Sequence, residues 1–165
     1  MKAKMFRALL PLAILFTMVS CSSDSSEATA VDKQVVTAYN YNETESKLIT
    51  LINDYRQSKG LNPLTVINHI SYKSEEHNFY MIDNNVVNHD YFQQRSDNLV
   101  RVLGAEKVGE NIAYNYQTAE SAMSAWLNSP SHKANIEGDY THLGISVTIN
   151  PDNGKKYYTN MFIKK

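Results

Sequence analysis

The sequence has almost no cysteine. One thiol, Cys21, stands among 165 residues, which excludes an intramolecular disulfide framework and a cysteine-built zinc cage. It also lacks a surplus of charge of either sign, with 16 basic side chains facing 17 acidic ones for a formal net charge of −1. Dedicated nucleic-acid binders carry a basic excess, so no nucleic-acid partner is expected. The N-terminal apolar stretch, Ala8 to Val19, is twelve residues without a charge. A bilayer-spanning helix needs about 20 apolar residues, so this one is too short to cross. Internal repeats and low-complexity runs are absent from the rest. What is present suits one globular domain with an appendage: the length allows no second ordinary domain. A hydrophobic content of 42% is enough for a real core and argues against wholesale disorder.

The appendage comes first. Lys2, Lys4 and Arg7 precede the apolar stretch, which makes residues 1–20 a secretory signal. It ends at Met18-Val19-Ser20-Cys21, which resembles a bacterial lipobox, with a small residue before a cysteine that is lipidated and becomes the new N-terminus. Two lipid signals on Cys21 would hold the chain at a membrane firmly. The expected location is therefore the bacterial envelope, at the outer membrane or cell surface if the host has two membranes. Residues 21–43 open with Ser22-Ser23-Asp24-Ser25-Ser26 and read as a flexible polar tether. The folded domain is expected over 44–165.

Within it, Asn42 and Glu45 form a capping pair, Leu48, Leu51, Ile52 and Tyr55 follow at helical spacing, and Gly60 supplies a stop. A second helix is predicted over 67–83, with Ile70, Ser74, His77 and Met81 on one face. A third is predicted over 93–103, closed by Gly104. A fourth covers 118–127, with Ala122, Met123, Trp126 and Leu127 as core residues. Ser129-Pro130 starts a short further turn through His132. The period then changes to two. Leu143, Ile145, Val147 and Ile149 alternate with smaller residues, Pro151 to Gly154 make a turn, and Tyr157 to Ile163 return with apolar side chains on both faces. Helices followed by a hairpin covered on both sides define an α+β class.

Four segments carry residues unusual for a plain core. They are Asn88-His89-Asp90-Tyr91-Phe92, Gly109-Glu110-Asn111-Ile112-Ala113, Trp126 to His132, and His142-Leu143-Gly144-Ile145. With Leu51 to Arg56, Gly60-Leu61-Asn62-Pro63-Leu64, His77 to Met81 and Tyr157 to Phe162, in this order, they resemble the CAP superfamily of cysteine-rich secretory proteins, antigen 5 and pathogenesis-related proteins. The likeness covers about residues 46–165 and is nearest the bacterial SCP-like branch. It implies an α-β-α sandwich with a small antiparallel sheet between helical layers. It also implies a cleft lined by His89, Glu110, Asn111, Ser129 and His132. A second carboxylate found in many eukaryotic members would stand where this chain has Ser129, so the site is reduced to two histidines and one acid.

That trio has two chemical uses. Two neutral imidazoles suit Zn2+ or another divalent cation, with His89 and His132 as the metal ligands. Without metal, a carboxylate can fix an imidazole tautomer and support base chemistry, which makes His89, Glu110 and His132 the catalytic candidates. The plainer readings are Glu110 as a brace, Asn111 as a buried hydrogen-bond hub, His132 as a helix-start residue, His77 as a core histidine, and His69 and His142 at the surface. No Gly-x-Ser-x-Gly elbow and no His-Glu-x-x-His helix occurs. The expected function is a binding module for a small molecule, a lipid-like ligand or an envelope polymer, with a protease-like hydrolase as the alternative. Oligomeric state is not legible.

Overall fold

The computed structural model describes residues 34–165. The signal expected at 1–20, Cys21 and most of the expected tether lie outside the described residues. Five helices and four strands follow in the order α1 (Glu43–Ser58), β1 (Thr65–Val66), α2 (Asn68–Asp83), α3 (Phe92–Leu103), β2 (Lys107–Tyr114), α4 (Ala119–Asn128), α5 (Pro130–Ile136), β3 (His142–Ile149) and β4 (Lys156–Lys164).

The local signals act as their chemistry requires. The Asn42 side chain accepts from Glu45 N–H, and the Glu45 carboxylate accepts from Asn42 N–H, so both ends of the capping box close. Thr118 caps α4 in the same way. Gly104 closes α3 at φ +72°, in the left-handed region that favours glycine.

The strands lie in the order β1-β3-β4-β2. β3 and β4 form the predicted hairpin, with Leu143 opposite Phe162. β4 then pairs on its other side with β2, placing Glu110 opposite Met161 and Asn111 opposite Asn160. The two residues of β1 run parallel to β3, so the sheet is not purely antiparallel. Successive side chains point to opposite faces. One face carries Leu143, Ile145, Val147, Tyr158 and Phe162 and is covered by Leu48 and Ile52 of α1, Trp126 of α4 and Ile136 of α5. The other carries Met161 and Ile163 against Ile70 of α2 and Leu99 of α3, with Ile112 and Tyr157 against Met81. This is the expected three-layer sandwich. Each fully buried large apolar side chain in it contributes roughly 1.5–3 kcal/mol. Gly144 lets α2 lie directly on β3: a Cβ there would collide with the backbone of Ile70 and Ser71.

Several expectations are corrected. β2 was not legible as a strand, because its Gly-Glu-Asn start has no alternating apolar pattern, yet Gly109 to Ala113 are all buried. α5 runs a full turn beyond His132, to Ile136. The last part of the stretch read as a tether is laid on the domain. The Tyr39 hydroxyl donates to Glu45 and is hydrogen-bonded to the Ser146 hydroxyl, Tyr41 bonds Asn68 and Ser71, and Val36 N–H donates to His69 Nδ1 at 3.1 Å. His69 is accordingly buried rather than at the surface, with its Nε2 2.8 Å from Asn98 Oδ1. A backbone N–H can only donate, so Nδ1 accepts and Nε2–H donates. His142 is half-buried at the start of β3.

Candidate functional site

β2 lies at the edge of the sheet, and its outer backbone is not left open. The Trp126 indole N–H donates to Ile112 O at 2.9 Å, and Asn135 Nδ2 donates to Glu110 O at 3.1 Å. These two bonds hold α4 and α5 against the strand that carries the acid.

Glu110 and Asn111 are adjacent on β2 and therefore point to opposite faces. Glu110, 6% exposed, faces the α2–α3 layer. Its carboxylate takes both edges of one guanidinium: Arg95 Nε donates to Oε2 at 2.8 Å and Nη2 to Oε1 at 2.9 Å. This two-pronged geometry gives the strongest kind of ion pair. His89 Nδ1 lies 2.8 Å from Oε1 as well. An ionised carboxylate only accepts, so Nδ1 carries a proton, and in the neutral form of the ring Nε2 presents its lone pair. Half of the His89 side chain is exposed, at 51%.

Asn111 is turned the other way and is the hub of the plain reading. Its amide donates to His132 O at 2.9 Å and its oxygen accepts from Asn135 at 2.9 Å. It does not line the cavity beside Glu110. That cavity, about 280 Å3, is walled by His89, Phe92, Val108, Gly109, Glu110 and Asn135. Gly109 must lack a side chain, since a Cβ would run into the Tyr140 hydroxyl. Ser129 and His132 are outside this lining. Ser129 caps α5 without a side-chain bond to its backbone, and its hydroxyl is 3.4 Å from that of Ser131. His132 is half-buried near the start of α5. Burial lowers its imidazole below the usual range, and the charge on His89 lowers it further. A larger cavity of about 510 Å3 lies elsewhere, between residues 34–38 and the α2–α3 layer, and contains none of the predicted trio.

Two residues that sequence reasoning did not place in the site support it. Arg95 is buried, and burial lowers its guanidinium while Glu110 pulls it back up. The available signal was its position on α3. It lies three residues after Phe92 and four before Leu99, a charge on an apolar stripe. His77, on α2, donates from Nε2 to Asn88 O at 2.8 Å and so anchors the loop that presents His89. Its Nδ1 is buried with no partner among the described residues. Burial, then Arg95, push His77 below the usual imidazole range, which keeps it neutral.

A divalent cation entering this cavity would meet one imidazole in its lining, that of His89. Glu110 is already committed to Arg95 and His89, and among the described residues no three His, Cys, Asp or Glu side chains are gathered as a metal set. The donor set does not fit a resident cage. No helix among the described residues is long and apolar enough to cross a membrane.

Comparison with known proteins places the geometry. The pattern of the cysteine-rich secretory protein family (CAP) matches residues 49–162. Over 128 residues, 75% of this chain, the sequence is 30% identical to the uncharacterized protein YkwD of Bacillus subtilis. Over 61 residues, 36% of this chain, it is 49% identical to the uncharacterized membrane protein YlbC of the same organism. The aligned segments span 48% and 16% of those two relatives. Among solved structures, an extracellular SCP-domain protein of Bacillus anthracis superposes with a TM-score of 0.65 at 27% identity, covering 78% of this chain and 45% of that one. An outer surface protein of Borrelia burgdorferi shares the fold with a TM-score of 0.69 at 22% identity, covering 77% and 96%.

Proposed function

We propose the following reading for this chain, which belongs to the cysteine-rich secretory protein (CAP) family: it is an exported binding module, held at the bacterial envelope through Cys21. Its cleft takes a small or lipid-like ligand. The observation that carries this reading is the state of Glu110. With both oxygens engaged by Arg95 and one also by His89, the acid is neither a spare ligand nor a spare base. Its work is to hold His89 in one tautomer. The ligand then meets a hydrogen-bond acceptor, His89 Nε2, beside the apolar side chains of Phe92 and Val108. A molecule with an apolar body and a protic head group suits such a wall. The extracellular and surface character of the solved relatives supports export.

The hydrolase reading has less support. The Ser129 and Ser131 hydroxyls lie beside each other, with no hydrogen bond to either histidine among the described residues. A divalent ion, with two imidazoles and no free carboxylate, would bind weakly and through His89 and His132 only.

The binding reading is tested by titrating 1-decanol and decanoic acid into the protein and following backbone amide shifts. Saturable shifts at His89, Phe92 and Val108, lost in His89→Ala, are expected; no shift with either probe would defeat it. The anchor is tested by fractionation: Cys21→Ala should move the chain from the membrane fraction to the soluble one, and an unchanged distribution would remove Cys21 from the account.

A further inference from the structure

Another cavity of about 280 Å3 includes Arg95 in its wall and shares no lining residue with the His89 pocket. It has no aliphatic side chain in its lining. One aromatic ring, Tyr91, stands among amides, a carboxylate and cations, notably Gln94, Asp97, Lys73 and Arg95.

Tyr91 has an unusual backbone. It sits at φ +58° and ψ +20°, in the left-handed region, as the N-cap residue just before α3. Among the described residues, the other positive-φ positions are held by Gly60, Gly104, Gly154, Asn85 and Asn115. Those residue types reach that conformation at little cost, and a tyrosine does not. The chain therefore keeps a ring at Tyr91 where a cheaper residue would serve the backbone equally well. A residue held in such a conformation is a pointer to function. The residue is 59% exposed, so its value is not core burial. It is held in position by edge contact with Tyr80, at 5.1 Å and 90°. Tyr80 is fixed in turn by donating to Asp90 at 2.9 Å.

The polar wall decides what could rest on this ring. Lys73 is ion-paired with Glu76, Arg95 with Glu110, and Arg101 is engaged within the chain. Lys73 and Arg95 are thus compensated by carboxylates, which disfavours a purely anionic ligand. The absence of aliphatic lining disfavours an acyl chain. What remains is a surface of planar hydrogen-bonding groups around one aromatic ring. Asp97 accepts from Gln93 through Oδ1 only, and the Gln94 amide has no hydrogen bond among the described residues. Amide and carboxylate groups of this kind bridge neighbouring hydroxyls, and an aromatic face accepts the C–H side of a pyranose ring.

We propose that this cavity is a saccharide-binding subsite, with Tyr91 as its platform and Gln94 and Asp97 as its hydroxyl readers. The size suits a sugar ring or two of a neutral glycan rather than a larger ligand. The subsite is separate from the His89 pocket. His89→Ala leaves it intact, so failure of one does not entail failure of the other.

The test titrates the full chain with maltotriose, cellotriose and triacetylchitotriose in the millimolar range, reading backbone amide shifts at positions 91, 94 and 97. At least one sugar is expected to give saturable shifts. Tyr91→Asn keeps a residue that tolerates the left-handed backbone and removes the ring. It should weaken binding about tenfold, the size of a lost aromatic contact, while the melting temperature holds or rises. Gln94→Ala, on an exposed side chain that cannot unfold the domain, should weaken binding by a smaller factor. Silence with all three sugars, or undiminished binding by Tyr91→Asn, overturns the proposal.

Discussion

Two glutamates, Glu45 and Glu110, are buried almost equally, at 2% and 6% exposure, and are stabilised by opposite means. Glu45 meets only neutral donors. Asn42 N–H donates to it at 2.8 Å, Val147 N–H at 2.7 Å and the Tyr39 hydroxyl at 3.1 Å. Burial dominates, and its carboxyl is pushed above the ordinary value of 4.5. Glu110 meets a buried guanidinium and an imidazole. The first arrangement closes on itself and ties α1, the N-terminal segment and β3 together. The second ends on a half-exposed ring with a free acceptor atom in a pocket. Equal burial therefore says little about role; the charge of the partners, and whether the chain of contacts ends in solvent, says more.

The largest expected difference between the two comes from removing the cation. Arg95→Met leaves Glu110 buried with the His89 imidazole as its one remaining partner among those described, and should cost about 3–5 kcal/mol in denaturant unfolding. Adding Glu110→Gln to it should recover much of that loss, because the stranded charge is then gone. A cost below about 1 kcal/mol for Arg95→Met would mean that Glu110 finds solvent or another donor.

The smaller effect is in the pH dependence. Glu45 titrates higher in the folded state than in the unfolded one. Its contribution is complete below 4.5 and is lost as pH rises through the folded value. His77 has the opposite sign. Its folded value lies below 6.5, so its contribution is complete above 6.5 and is lost as pH falls. Glu45→Gln should remove the loss on the alkaline side of 4.5, and His77→Gln the loss on the acid side of 6.5. Each slope is at most about 1.4 kcal/mol per pH unit. Unfolding free energies of the three proteins from pH 4 to 8 check this, and parallel curves would show that neither group is perturbed by its burial.

The same pair shows what could be read in advance. Glu45 is three residues from Asn42, and capping is a short-range rule, so its place was visible in the chain. Glu110 binds residues 15 and 21 positions earlier, and its role came only through family likeness. Arg95 went unnoticed in the site because a charge on an apolar helix face is a signal only once a partner is known to stand opposite. β2 was missed because its burial comes from β4 beside it and helices around it, not from alternation within its own residues.

The one-dimensional order of residues determined most of the helices, the Asn42 cap, the terminal hairpin and the α+β class, while the three-layer sandwich was implied by family likeness. The former follow from periodicity and from hydrogen bonds that reach only a few positions. Folding alone decided that Glu110 and Asn111 part to opposite faces of one strand, that Arg95 takes the acid, and that residues 36–42 lie on the domain. Each of these depends on which surfaces meet across the sheet, and long-range packing is what selects them.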